Sequence, residues 1–236
     1  MRYLILAAAL FLAGCSFSSL PGVTGSGKLV TKQLTLGEFS QIDASSSFQV
    51  DVTQGATSSV VVTADDNAWD SVDVRNDGGT LHLSMKSGSY NNTHVSAKIV
   101  TPHLSAFTLS GAVNGSIEGF NDAAGRLDLS VSGASTLNGG LRQGQMTLDI
   151  AGASTVTLHG AADLVNVTVS GASHGGLEDL ASDVIRADIS GASNANVFAR
   201  RKLDYDVSGA SHLSYAGNPT IGQAQVSGAS SVTSAQ

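Results

Sequence analysis

The chain has 236 residues, with 12 Lys and Arg against 19 Asp and Glu, a formal charge of -7. That acidic balance excludes the basic footprint of a nucleic-acid binder, and a single Cys excludes a disulfide framework or a Cys-rich metal site. Gly (27) and Ser (34) are abundant, but with only 3 Pro and 42% hydrophobic residues the composition is that of a chain with a core, not of a disordered linker.

The first fourteen residues read as a lipoprotein signal peptide. Met1-Arg2 is a short positive start, and Tyr3 to Phe11 is an apolar run too short to span a bilayer as a helix. It runs into Leu12-Ala13-Gly14-Cys15. This tetrapeptide resembles the bacterial lipobox, which implies cleavage before Cys15 and acylation of its thiol. Several acyl chains on one Cys give stable anchoring where a single chain is marginal. Cleavage removes Arg2, so the mature chain carries 11 cations against 19 carboxylates, or -8. Ser16 follows the Cys, and in Gram-negative lipoproteins similar to this one a non-Asp residue there implies the outer membrane. Residues 15–27 are small and polar enough for a flexible tether.

Residues 28–105 are expected to be β. Phe48, Val50 and Val52, then Val60 and Val62, Leu81, Leu83 and Met85, and Val95, Ala97 and Ile99 alternate with polar residues. Asn76-Asp77-Gly78-Gly79 is a hairpin turn signal. This region is predicted to start the stack described next, less regularly, and to cap its N-terminal end, because an uncapped solenoid presents unpaired strand edges.

Residues 106–236 are a repeat. The block Ser-Gly-Ala-Ser, varied to Ser-Gly-Ala-Val at 110–113 and Ala-Gly-Ala-Ser at 151–154, recurs with its Gly at 111, 133, 152, 171, 191, 209 and 228, at intervals of 18 to 22 residues. Two residues before each Gly stand Leu109, Val131, Ile150, Val169, Ile189, Val207 and Val226, and four before it Phe107, Leu129, Leu148, Val167, Ala187, Tyr205 and Ala224. The residues between them, Thr108, Ser130, Asp149, Thr168, Asp188, Asp206 and Gln225, are all polar. Period-2 alternation of this kind marks a strand with one buried face. The alternation returns after the Gly, where Leu137, Val156, Ala195, Leu213 and Val232 follow polar neighbours.

Each repeat therefore reads as strand, Gly-Ala bend, strand and variable turn, with the Ala small enough to point into a tight corner. Repeats of ~19 residues stacked at ~4.8 Å make an all-β parallel β-helix, a rod of roughly 30 Å for seven rungs. Residues 28–236 are expected to form one continuous domain. The last rung, 221–233, lacks an obvious cap, which suggests self-association through its edge.

Phe39 to Gly55 (FSQIDASSSFQVDVTQG), then Thr101-Pro102-His103-Leu104 leading into the Ser-Gly-Ala-Ser blocks, resembles the putative auto-transporter adhesin, head GIN domain family. The resemblance covers residues 36 to 232 and implies a right-handed parallel β-helix in a bacterial envelope protein, with no catalytic residues to carry over. Adhesion is what the family name suggests. This chain departs from an auto-transporter in leaving no segment for an outer-membrane barrel.

Several clusters of residues are candidates for chemistry. Asp188 and Asp206 share a position on adjacent rungs, so their carboxylates would lie roughly 5 Å apart, a spacing that suits a retaining glycosidase pair or a cation. The plainer reading is a solvated ladder in which Arg186 pairs with Asp204. No aromatic platform for a sugar accompanies these carboxylates, and Trp69 lies outside the repeats. His174 and His212 share a column but Asn194 intervenes, leaving them ~9.6 Å apart, too far for one zinc. Asp65-Asp66-Asn67 with Asp70 and Asp73 lacks the spacing of an EF-hand and reads as a loop. Arg200-Arg201-Lys202 reads as an exposed turn.

The expected protein is thus a lipid-anchored envelope module that is not an enzyme. Cys15 is its modified residue, and no catalytic, cofactor-binding or metal-ligating residue is assigned. Its partners would be membrane lipid, an envelope glycan or protein, and a second copy of itself. The alternative is a carbohydrate-active β-helix enzyme, a polysaccharide hydrolase or lyase, working through surface carboxylates.

Overall fold

The computed structural model describes residues 22–235. Cys15, the signal peptide and the first part of the expected tether lie outside the described residues. Among the described residues the chain is all β apart from one 3₁₀ turn at Trp69–Ser71, and no helix is long and apolar enough to cross a membrane. Strands stack in parallel into a β-solenoid, as the repeat predicts. The longest are Asn114–Val131, Thr136–Ile150, Thr155–Val169, His174–Ile189 and Asn194–Val207, each paired in register with the next.

The alternating columns account for the core. Val131, Ile150, Val169, Ile189 and Val207 are at most 1% exposed, and Leu137, Val156, Ala195 and Leu213 are fully buried on the wall after the bend. Each fully buried Val, Ile or Leu contributes about 1.5–3 kcal/mol. One continuous apolar cluster runs from Phe39 to Leu213.

Two local expectations are corrected. The variable segments between repeats are not turns. They stay hydrogen-bonded to their neighbours as a third wall, and irregularities such as those at Glu118/Phe120 and Leu177/Ala181 absorb the differences in repeat length. The bend is also inside out relative to expectation. Ala134, Ala153, Ala172, Ala192 and Ala210 face solvent, whereas Ser135, Ser154, Ser173, Ser193 and Ser211 are at most 2% exposed. Four of these five hydroxyls accept a backbone N–H of the rung below, while Ser193 Oγ donates to the Gly171 carbonyl at 3.2 Å. Ser173 Oγ accepts from Ser154 N at 3.3 Å, Ser154 Oγ from Ser135 N at 3.4 Å and Ser135 Oγ from Val113 N at 3.2 Å. The buried serines satisfy donors that the corner would otherwise strand.

The bend glycines stack as tightly. Gly171 has φ +78°, and a Cβ built on it would lie 2.5 Å from the carbonyl oxygen of Gly152 below. That carbonyl accepts the N–H of Ala172 at 2.8 Å, so it cannot move aside without breaking the ladder.

The N-terminal region departs from chain order. Strands Gln41–Ala44 and Gln49–Gln54 form a rung inserted between the coil of Thr80–Met85 and Val95–Thr101 below and Ala106–Leu109 and Asn114–Val131 above. Thr101 Oγ1 donates to the Phe39 carbonyl, and Ser105 N to Ser40 O, where the chain climbs past this rung. Ser59–Asp65 and Val72–Asp77 run antiparallel on the lowest coil and close that end, with Leu29–Leu34 outside them. The hairpin turn falls where predicted, with Gly78 and Gly79 at φ +58° and +88°, the signs a two-residue turn requires. One wall thus has ten strand layers from Val72–Asp77 to Thr220–Val226, nine steps of ~4.8 Å or about 43 Å. The final strand is exposed throughout, with Ile221 38% and Val226 48% accessible.

Candidate functional site

The polar residues left outside by the period-2 pattern form columns along the rod. On the wall before the bend, Thr168, Asp188, Asp206 and Gln225 occupy one column, with Asn166, Arg186 and Asp204 in the next. Together with Gln223 they line a shallow groove of about 310 Å³ that crosses several rungs. Asp188 and Asp206 stand opposite each other, as the repeat spacing predicts.

Arg186 is the hinge of this polar network. Its guanidinium reaches Asn166 Oδ1 on the rung below at 3.5 Å and lies 4.0 Å from Asp204 Oδ2 on the rung above. Lys202 Nζ donates to Asp204 Oδ2 at 2.7 Å, and Gln223 N to Asp204 Oδ1 at 2.9 Å. The Lys202 hydrogen bond, followed by the Gln223 N–H, holds the Asp204 carboxyl below its ordinary range. A carboxyl held below its ordinary range is the opposite of the raised general acid that glycoside hydrolysis needs. The groove presents both donors and acceptors along the rod, which suits an extended polar chain.

The other clusters find partners of their own. His174 and His212 lie in one column with Asn194 between them, and His212 bonds the hydroxyls of Ser231 at 2.8 Å and Thr233 at 3.2 Å. Among the described residues no group of three or more His, Cys, Asp or Glu is arranged to hold a metal. Arg200, Arg201 and Lys202 belong to the strand Asn194–Val207 and not to a turn. Each has a carboxylate nearby: Arg200 and Arg201 lie 3.7 and 3.5 Å from Asp183, and Lys202 pairs with Asp204.

The acidic run at Asp65 has a role that its sequence did not announce. Asp65 is fully buried and accepts Gly27 N at 2.8 Å through Oδ1 and His94 N at 2.7 Å through Oδ2. The His94 N–H is the main cause of a carboxyl pKa held below its ordinary value, and burial opposes it. Asp66 accepts the Ser26 hydroxyl, while Asn67 accepts Ser26 N at 3.2 Å and donates to Thr24 O at 2.8 Å. Gly22–Thr24 also pairs in parallel with Ser89–Asn91. The end of the expected tether, residues 22–27, is therefore fastened to the body. These partners lie about forty positions away in the chain, so no local pattern could reveal them.

With this geometry established, comparison with known proteins is informative. The profile of a family described as "Putative auto-transporter adhesin, head GIN domain" matches residues 38–219. A putative adhesin from Bacteroides fragilis superposes with a TM-score of 0.79 at 22% identity, covering 91% of this chain and 100% of that one. A putative lipid binding protein from Parabacteroides distasonis gives 0.74 at 18% identity over 92% and 100% of the two chains. For a putative adhesin from Parabacteroides merdae the values are 0.71 and 19%, over 91% and 99%. At these identities the likeness establishes the fold. No curated protein matches the chain.

Proposed function

The chain belongs to the auto-transporter adhesin, head GIN domain family, and from that membership together with the Leu12-Ala13-Gly14-Cys15 sequence we propose that it is a lipid-anchored, non-catalytic binding module of the bacterial envelope. In this reading residues 1–14 are removed, Cys15 is acylated, and the solenoid is held at the outer membrane. The observation that carries the binding role is the groove over Asn166, Thr168, Arg186, Asp188, Asp204 and Asp206. It lies on a rigid wall whose strands are hydrogen-bonded on both sides. A preformed surface loses little conformational entropy on binding, so weak polar contacts repeated at ~4.8 Å can add along an envelope glycan.

The test is calorimetry of the detergent-solubilised protein against a panel of envelope polysaccharides, with product release followed in parallel. The expected outcome is binding without turnover, weakened in the double variant Asp188→Asn, Asp206→Asn. Turnover lost in that variant would instead establish the enzyme. Absence of binding to every glycan would overturn the glycan assignment and direct the search to protein partners.

A further inference from the structure

We propose that the capped, N-terminal end of the solenoid is its lipid-facing surface, and that the Asp65 latch sets this orientation. The proposal rests on lipidation of Cys15. Seven peptide steps lead from Cys15 to Gly22, and a chain of that length spans at most ~25 Å. Beyond Gly22 there is no further slack. Gly22–Thr24 pairs with Ser89–Asn91, Asn67 and Asp66 hold Thr24 and Ser26, and Asp65 holds Gly27. The chain joins the rod beside its lowest coil, which the antiparallel strands Ser59–Asp65 and Val72–Asp77 close. The last layer lies about 43 Å farther along the same wall.

Charge decides between standing on this end and lying on a side wall. Residues 106–236 carry six Lys and Arg against eleven Asp and Glu, so the walls are repelled by an anionic leaflet. At the capped end Lys28, Lys32, Arg75 and Lys86 stand against Glu38, Asp65, Asp66, Asp70, Asp73 and Asp77, a net of -2 where the walls carry -5. Lys32 lies over the Trp69 ring, 4.1 Å from its centre. Leu29, 56% exposed on the outermost cap strand, offers an apolar contact to the interface. The same end holds the latch, the attachment of the Cys15 segment and the smaller negative charge.

The chain has one Cys, and acylation consumes its thiol, so a single introduced Cys is a unique labelling site. Processed full-length protein carrying Ser87→Cys near the cap, or Ser227→Cys in the last rung, is dye-labelled. It is then reconstituted into phosphatidylethanolamine–phosphatidylglycerol vesicles containing a headgroup-linked acceptor. Energy transfer is expected to be several-fold stronger from position 87 than from position 227. Adding Asn67→Ala or Asp65→Asn should narrow the gap, because freeing residues 22–28 doubles the untethered length to fourteen residues and its reach to ~50 Å. Equal or reversed transfer in protein that floats with the vesicles overturns the orientation. A gap unchanged by both latch variants overturns the role of Asp65. Failure to float overturns the lipid anchor itself, and the orientation with it.

Discussion

The bend of the N-terminal rung and the bends of the repeat rungs solve one backbone problem with different side chains. In both, the same ladder runs around the corner: Ala112 N donates to Ser46 O at 3.1 Å, as Ala172 N does to Gly152 O at 2.8 Å. In both, the corner residue is left-handed, with φ +70° at Ser46 and +84° at Gly111. But Ser46 stacks beneath one repeat glycine less tightly, a Cβ on Gly111 meeting its carbonyl oxygen at 3.2 Å, against 2.5 Å between repeat glycines. The inward corner position is Phe48 in one rung and Val113 in the next, both fully buried, and Ser from 135 onward. Self-stacking demands Gly and favours Ser, whereas stacking between unlike neighbours tolerates a strained Ser beside a large apolar residue.

Substitutions can break this contrast. Gly171→Ala combines a left-handed alanine with a backbone clash and should cost about 3 kcal/mol, a fall in melting temperature of roughly 6–12 °C by calorimetry. Ser173→Ala leaves Ser154 N without its acceptor in a buried corner. Chemical denaturation should show a loss of about 1–3 kcal/mol, and Ser173→Thr should not be equivalent to wild type because the extra methyl meets a packed core. Ser46→Gly relieves left-handed strain where the repeats have already done so, and should stabilise by about 1 kcal/mol. A destabilised Ser46→Gly protein would mean that the hydrogen bond Met85 N donates to Ser46 Oγ outweighs the strain.

Acid sharpens the contrast from the other direction. Asp65 has a depressed folded-state pKa, so its contribution is complete above the ordinary value of 3.8. Below that pH the unfolded chain takes up the proton first, and the contribution fades as pH falls through the lower folded value. Hydrogen exchange should therefore show residues 22–28 losing protection on acidification before the Ser-Gly-Ala-Ser rungs do. Smallest of all, Asp188→Asn and Asp206→Asn change solvent-facing positions and should shift stability by no more than about 0.5 kcal/mol.

What was legible in the sequence follows from periodicity. Val131, Ile150 and Val169 announced their shared column because a strand alternates faces, and the Gly spacing announced the stack. The inward serines were not legible, since a small polar residue beside glycine reads as a solvent-facing turn until the N–H it serves is seen. Neither was the insertion of Gln41–Gln54 between later strands, because Val50 and Ala97 fit the same inward pattern and nothing local says which lies above the other. In the site, the Asp188–Asp206 and Arg186–Asp204 pairings followed from register, while the clamp of Asp65 on Gly27 and His94 depends on contacts between distant strands.

The envelope role and the orientation of the rod both depend on the lipid anchor at Cys15. Radiolabelled palmitate incorporation with and without globomycin, in wild type and Cys15→Ala, followed by membrane fractionation, tests it. Globomycin-sensitive, Cys15-dependent label in the outer-membrane fraction is the result predicted. Unlabelled protein, or label that persists in Cys15→Ala, would contradict it.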